Sequence, residues 1–285
     1  MPGTNPTIRR WELASRLRRH RESRGMSLED VAAQLLCTPS KISRLETATR
    51  GASLRDVRDL CRLYDVPDAD RDELMTLVRE AKQPGWWQRY DELASRWGTY
   101  FALEDAASSI QQFETSLVPG LLQTGDYTNA LVDRIGVSNR HHEIVQQAVL
   151  SRQERQKRLL SEDPLDYWVI LDEAALHRLV GGTKVMRSQL EHVATLAEDH
   201  RVVLQIIPFS AGAHTGMEGN FTVLQFASPE IPDSVYLEHR AGGLFLNRDA
   251  DLRLYRATFD HLRATAESPH ESIERIQALA RIIDS

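Results

Sequence analysis

Cysteine is almost missing from this 285-residue chain: Cys37 and Cys61 are the only two. Two thiols build neither the multi-bridge framework of a small secreted domain nor a four-cysteine zinc site, so an intracellular chain with reduced, packed thiols is expected. Long hydrophobic runs are missing as well. No stretch approaches the ~18 apolar residues of a membrane span, and the N-terminus has no apolar signal core. The expectation is a cytoplasmic protein without a membrane role. Catalytic signatures are equally scarce: GxSxG, GxxxxGK[ST], HExxH and a strand–GxGxxG–helix unit all fail to appear. His177, His192, His200, His214 and His239 are scattered. Neither an enzyme, nor a bound metal, nor a cofactor is expected.

What is present is an uneven charge. Residues 1–66 carry 13 Lys and Arg against 8 Asp and Glu, while the rest carries 22 against 33. A basic head on an acidic body suits a partner made of phosphates, because phosphate attraction dominates affinity for nucleic acid.

Within that head, Ser27–Glu46 (SLEDVAAQLLCTPSKISRLE) holds two short helical patterns a few residues apart. Leu28, Val31, Ala32 and Leu35 recur at spacings of three and four, and Ser27 supplies an N-cap with Asp30 in the first turn. Thr38 caps a second helix whose first position is Pro39, where the missing N–H costs nothing. Ile42 and Leu45 point inward, leaving Ser40, Lys41, Ser43 and Arg44 on an outer face rich in hydroxyls and cations. That is the layout of a helix-turn-helix with its second helix in a major groove. Ser40 and Lys41 fall in the first turn, and Arg44, one turn on, can pair bidentately with a guanine. Ser43, Ser27 and Arg50 are phosphate candidates, the last two from a helix start and from the loop after the second helix.

Around these helices, residues 1–8 read as a loose arm, Trp11–Arg24 as a first helix stopped by Gly25, Leu54–Tyr64 as a fourth helix and 68–81 as a fifth. QPGWW at 83–87 reads as a hinge, which divides the chain into residues 1–82 and 83–285. The aromatic residues that follow, among them Trp97, Tyr100 and Phe101, accompany acids and favour packing over base stacking. Beyond them the pattern becomes strand-like at 108–120, 167–171, 202–209, 221–227 and 234–239, with helices at 141–160, 173–180, 184–199, 250–266 and 271–283. The expected architecture is an all-α five-helix domain followed by an α+β domain with a mostly antiparallel sheet and helices on one face. A glycine-rich loop, SAGAHTGMEGN, carries His214 and Glu218, and Glu238-His239 closes a strand. Glycine lets backbone approach a bound group, so His214, Glu218 and His239 are candidates for ligand or partner contact.

LEDVAAQL followed by SKISRLE, with RLRRHRESRGMS upstream, resembles the DNA-binding unit of lambda-repressor/Cro-like regulators. Leu36 stands where that family usually has the turn glycine, and Ala48 where a glycine often follows the recognition helix. A left-handed residue without glycine costs about 1 kcal/mol, so a reshaped turn is expected. The resemblance implies that Arg21 and Glu46 form a clamp orienting the recognition helix. LVPGLLQTGDYTNAL, SRQERQKRL, LDEAALHRLVGG, QIIPFSAGAHTGMEGNFTVLQF and VYLEHRAG resemble an uncharacterised C-terminal domain of actinobacterial helix-turn-helix regulators, antitoxin-like ones included. Together the resemblances imply a transcription regulator that binds double-stranded DNA; a homodimer is expected because one small recognition helix gives modest specificity and a two-fold pair reads a palindrome. The resemblances also imply a small acidic protein encoded nearby as a partner, or a small-molecule effector. The alternative is an antitoxin-like interaction protein that holds its partner and autoregulates.

Overall fold

Asn5 starts the first helix earlier than the periodicity suggests. Its side-chain oxygen accepts from the Ile8 N–H at 3.2 Å and Pro6 occupies the first turn, so α1 (Pro6–Ser23) takes in residues expected in a loose arm. The computed structural model describes residues 5–135, 141–161, 164–240 and 242–283, so the start of that arm lies outside the described residues. Four further helices follow: α2 (Leu28–Gln34), α3 (Pro39–Glu46), α4 (Leu54–Leu63) and α5 (Asp68–Glu80). All five close over one core built from Leu13, Leu17, Val31, Ile42, Leu45, Val57, Leu60, Cys61, Leu74 and Val78. Burial there pushes the Cys61 thiol up to about 11, which leaves it protonated and inert. Leu54, at the first position of α4, is exposed.

This head is one compact unit, Met1–Gln88, and it also takes in Ala227–Pro232 from far along the chain. The Glu230 carboxylate in that segment accepts from Arg19 and, at 3.2 Å, from the Ser15 hydroxyl. A sequence reading by local periodicity has no means of assigning those six residues to the head.

Helix ends in the head share one device. After α1, α2, α3 and α4 the chain turns through a left-handed residue, respectively Gly25, Leu36, Ala48 and Asp65. Behind α2 the Cys37 N–H donates to the Ala32 carbonyl at 2.9 Å and the Leu36 N–H to Ala33 at 3.4 Å, the paired bonds of a Schellman cap. The turn is therefore not reshaped, contrary to expectation: the capping bonds hold Leu36 at φ 51° despite its Cβ.

The second unit, Arg89–Phe226 with Asp233–Ser285, opens with α6 (Asp91–Ala106) and β1 (Ser109–Glu114). Then come α7 (Gly125–Ile135), α8 (His141–Gln156), β2 (Asp166–Asp172), α9 (Ala174–His177), α10 (Thr183–Glu198) and β3 (Val203–Ile207). β4 (Phe221–Gln225), β5 (Ser234–His239) and β6 (Gly242–Leu246) precede α11 (Asp249–Thr265) and α12 (Pro269–Ile282). The six strands form one sheet in the order β3-β2-β1-β4-β5-β6. It is mixed, where a mostly antiparallel sheet was expected. β1, β2 and β3 run parallel because helices carry the chain back between them, whereas β4, β5 and β6 continue antiparallel from β1.

Helices cover both faces, not one. Phe113, Ile170, Phe221, Val223 and Val235 pack with Leu252, Phe259 and Leu262 of α11. On the opposite face Tyr100 of α6 stacks on Tyr236 of β5, with ring centroids 4.4 Å apart. The β3 edge is also covered: Ser272 at the start of α12 accepts from the Ile206 N–H at 2.9 Å.

Leu36 is 94% exposed, so its side chain contributes nothing to the core while its backbone carries the left-handed cost. Leu36→Gly is expected to stabilise the protein by about 1 kcal/mol in urea unfolding, offset in part by the entropy glycine loses on folding. Unchanged or lower stability would mean that the turn carries no strain.

Candidate nucleic-acid interface

α3 buries Ile42, Leu45 and Glu46 and turns Thr38, Pro39, Ser40 and Arg44 to solvent. Its orientation rests on Glu46, whose carboxylate accepts from Arg21 Nε at 2.9 Å and from Arg21 Nη2 at 3.0 Å. Arg21 Nη1 also donates to the Met26 carbonyl at 2.7 Å, so one guanidinium ties α1 to α3 and to the turn before α2. Both side chains are largely covered, which limits screening by solvent.

The outer face is less uniform than the spacing suggests. Lys41 is drawn sideways, its Nζ 2.6 Å from Asp56 at the start of α4. Burial alone would raise the Asp56 carboxyl, but hydrogen bonds from Lys41 and Ser53 outweigh it and hold the pKa at about 2. Lys41 therefore braces two helix starts. Ser27 is similarly engaged. Its hydroxyl donates to Asp30 at 2.7 Å and accepts from the Asp30 N–H, and its own N–H donates to the same carboxylate at 2.8 Å. With Glu29 and Asp30 in the first turn, negative charge sits where a phosphate was expected.

Arg44 has no carboxylate within ion-pair distance among the described residues; its Nε donates to the Ser40 carbonyl of its own helix at 3.1 Å. The loop after α3 folds back so that the Arg50 N–H donates to the Arg44 carbonyl at 3.0 Å, which brings Arg50 and Arg44 to one end of the helix. Thr47 and Thr49, which the spacing did not single out, are exposed there too, their hydroxyls 2.9 Å apart. Ser43 is half-buried and its carbonyl accepts from the Thr47 hydroxyl at 2.8 Å. The surface left to solvent is thus Thr38, Pro39, Ser40, Arg44, Thr47, Thr49 and Arg50.

In the second unit the glycine-rich loop turns its histidine inward. His214 Nε2 lies 3.2 Å from Asp172 of β2, and Nδ1 accepts from the Gly216 N–H at 3.2 Å. The partner of His214 is thus Asp172, while Glu218 and His239 are exposed. These three residues form no joint site. Polar groups gather elsewhere, where local spacing gave no hint of them. Arg155 of α8 grips Glu104 of α6 at 2.5 and 2.7 Å, both buried. Gly120 lets that guanidinium pass, since a Cβ there would lie 2.9 Å from Arg155 Nη1. Three residues before Arg155, Arg152 donates to Gln123 at 2.6 Å and to the Ala148 carbonyl at 3.3 Å, and meets no carboxylate within ion-pair distance among the described residues. Burial, with the charge of Arg155, lowers the Arg152 pKa to about 10. Tyr167 of β2 donates to Gln112 of β1 at 2.5 Å, and Gln112 donates to Glu114 at 2.7 Å. Burial, with the charge of Glu238, pushes the Glu114 carboxyl up to about 8, and hydrogen bonds from Gln112 and Asn220 offset this only in part.

A helix-turn-helix domain family matches residues 12–74, and the family described as a domain of unknown function (DUF5753) matches residues 97–278, more than half of the chain. The chain belongs to the DUF5753 family. Within the matched region, Arg155 ties α8 to α6 through Glu104, and Gly120 leaves room for its guanidinium. No curated protein and no solved structure matches the chain significantly. The helix-turn-helix head of this DUF5753 protein makes it a DNA-binding regulator in broad class. No helix among the described residues is long and apolar enough to cross a membrane.

Two variants test these contacts. Arg21→Lys keeps the charge and loses the fork, and is expected to cost about 1–3 kcal/mol in urea unfolding because Glu46 keeps only part of its bonding. An unaltered midpoint would mean that the pair does not hold α3. Glu114, with a folded pKa above its unfolded value, adds stability that is complete below the unfolded value and is lost as pH rises through about 8. Glu114→Gln removes that loss. Its Tm relative to wild type should climb as pH rises toward 8 and then level, by up to about 10 °C in all. A constant offset over the same range would show that the carboxyl is charged throughout.

Proposed function

We propose that this protein is a sequence-specific transcription regulator that reads a palindromic operator in the cytoplasm as a homodimer, its C-terminal domain receiving a signal or a partner. The observation that carries the reading is Arg44: solvent-facing, unpaired with any carboxylate among the described residues, and mounted on a helix whose orientation Arg21 and Glu46 fix. Ser40 and Arg44 are the base readers of choice; Arg50, Thr38 and Thr47 suit phosphates. Lys41 and Ser27 are reassigned to bracing and capping, because their polar groups are already engaged. A single head with two base readers gives modest discrimination, and a two-fold pair on half-sites about one turn apart doubles it. The reading includes no catalytic step, and the engagement of both His214 ring nitrogens supports that.

A second reading, the antitoxin-like interaction protein, has its own observation. Arg58 and Arg62 of α4 face Arg71 and Arg79 of α5 across a cavity of about 460 Å³ with Met75 on its lining. Arg71 is paired with Asp68 at 2.9 Å, whereas Arg62 and Arg79 have no ion-pair partner among the described residues. A positive groove of this kind suits a small acidic protein.

The deciding experiment compares wild type with Arg44→Ala on a fragment of the protein's own promoter region and on a random fragment, at several salt concentrations. Wild type is expected to prefer the promoter fragment, with steep salt dependence and a stoichiometry of two chains per site. Arg44→Ala should lose about 1–3 kcal/mol of discrimination while keeping nonspecific affinity. Wild type that binds both fragments alike overturns the sequence-specific reading. Selective binding abolished by a small acidic protein that co-purifies with the chain favours the second reading.

A further inference from the structure

Arginines crowd one cleft of the head with little acid to answer them. Arg58 and Arg62 stand one turn apart on α4, and Arg71 and Arg79 stand two turns apart on α5 with Met75 between them. Together with Asp72 and Thr76 they line a cavity of about 460 Å³. Four guanidinium groups therefore share that lining with a single carboxylate. Like charges one turn apart on a helix repel, and a cleft lined by one sign of charge concentrates the opposite ion.

Few of these groups are spent on the fold. Arg71 reaches back to Asp68 at 2.9 Å. Arg58 has only its neighbour Asp59, 3.6 Å away and too far for a hydrogen bond. Arg62 and Arg79 are exposed, and their guanidinium groups have neither an ion pair nor a hydrogen bond among the described residues. The Thr76 hydroxyl already donates to the Asp72 carbonyl at 3.0 Å, so every side-chain donor left on the lining is a guanidinium. Arg21 shows the contrast, since the arginine that the head uses for structure is closed on Glu46.

The lining sets the chemistry of what it can hold. Guanidinium forks take phosphate oxygens in pairs, so Arg58, Arg62 and Arg79 together can engage about six. A single phosphate has fewer oxygens than that, and a diphosphate group matches it. Each phosphate also carries about −1.5 to −2 charges, more than a carboxylate brings to the same fork. Size points the same way. The volume falls within the range of about 300–1,000 Å³ for small-molecule sites, whereas a protein partner spreads over about 800 Å² on each side.

We propose that this cleft binds a diphosphate group, carried by inorganic pyrophosphate or by a nucleotide, with Arg58, Arg62 and Arg79 as its forks. Met75, the one apolar side chain on the lining, offers a nucleotide's ring a surface that pyrophosphate does not use. The inference is independent of the operator reading, and it gives the cleft an occupant other than the acidic protein of the second reading.

The test uses the full chain at physiological salt, with calorimetry and thermal shift. Pyrophosphate, ADP, phosphate, citrate and poly-L-glutamate are the probes. At least one of pyrophosphate and ADP is expected to bind saturably and to raise the Tm. Phosphate and citrate should bind at least about tenfold more weakly. Tighter binding of ADP assigns the nucleotide, and tighter binding of pyrophosphate assigns the inorganic ion. Arg62→Gln and Arg79→Gln should each weaken binding at least about tenfold and keep the ligand-free Tm, because both side chains are exposed. Arg55→Gln, on α4 but outside the lining, should bind as wild type does. Failure of both diphosphates, citrate binding as tightly, or full binding by a folded double variant of Arg62→Gln and Arg79→Gln each overturns the site. Saturable binding of poly-L-glutamate in their place overturns it in favour of the acidic protein. A double variant that loses affinity for a random duplex, while wild type binds neither diphosphate, gives the cleft to the DNA backbone instead.

Discussion

Arg21 holds Glu46 by a fork of hydrogen bonds and Met26 by a third arm, and the outward face of α3 exists only because that grip is made. An eight-residue helix with Ile42 and Leu45 on its underside could roll about its own axis at little cost, since two aliphatic contacts tolerate rotation. A planar guanidinium on a carboxylate does not tolerate it. Lys41 adds a second constraint from the other side by tying α3 to Asp56, which itself caps α4 through Ser53. The basic surplus of the head is therefore partly structural. Of the cations near α3, Arg21 and Lys41 fix geometry, and Arg44 and Arg50 remain to meet a ligand.

The second unit divides its buried charge in the same way. Arg155 and Glu104 satisfy one another at short range, and the Tyr100 and Phe101 rings lie against the guanidinium. Breaking one partner of such a pair leaves a charge that costs about 3–5 kcal/mol. Arg152 and Glu114 have no such ion pair among the described residues, and burial moves the Arg152 pKa down to about 10 and the Glu114 pKa up to about 8. Two arginines three residues apart on α8 thus have opposite status. One is spent on holding the fold, and the other is kept at the cost of desolvation.

The head was legible because its information is local. Ser27, Thr38-Pro39 and the spacing of Val31, Ile42 and Leu45 are signals within a few residues, and the structure realises them to within a residue or two. What local patterns could not convey was direction at the surface. Lys41 and Arg44 read alike as outer-face cations, and only the position of Asp56, fifteen residues on, separates them. The sheet was legible strand by strand except for β6, where Gly242-Gly243 lowers strand propensity in front of Leu244 and Phe245. Strand direction was not legible, because a parallel pair depends on where intervening helices return the chain. His214 misled for a related reason: glycines around it suggested an open loop, while Gly216 serves to let that loop press against Phe113, 2.3 Å from where a Cβ would stand. The polar cluster at Glu114 is nonlocal throughout, since it joins strands separated by more than a hundred residues.

Magnitudes connect the two units. A bidentate base contact discriminates by about 1–3 kcal/mol, while a regulator separates its operator from bulk DNA by about 4–10 kcal/mol. On the proposed reading one head offers Arg44 as its single forked reader, with Ser40 a weaker second, and falls at or below the lower edge of that range. Two heads on one duplex reach it without any new side chain, provided their separation matches the groove repeat. On the same proposed reading the larger, acidic unit is the natural place for control, because a change in the spacing of two heads costs specificity more steeply than a change within either one.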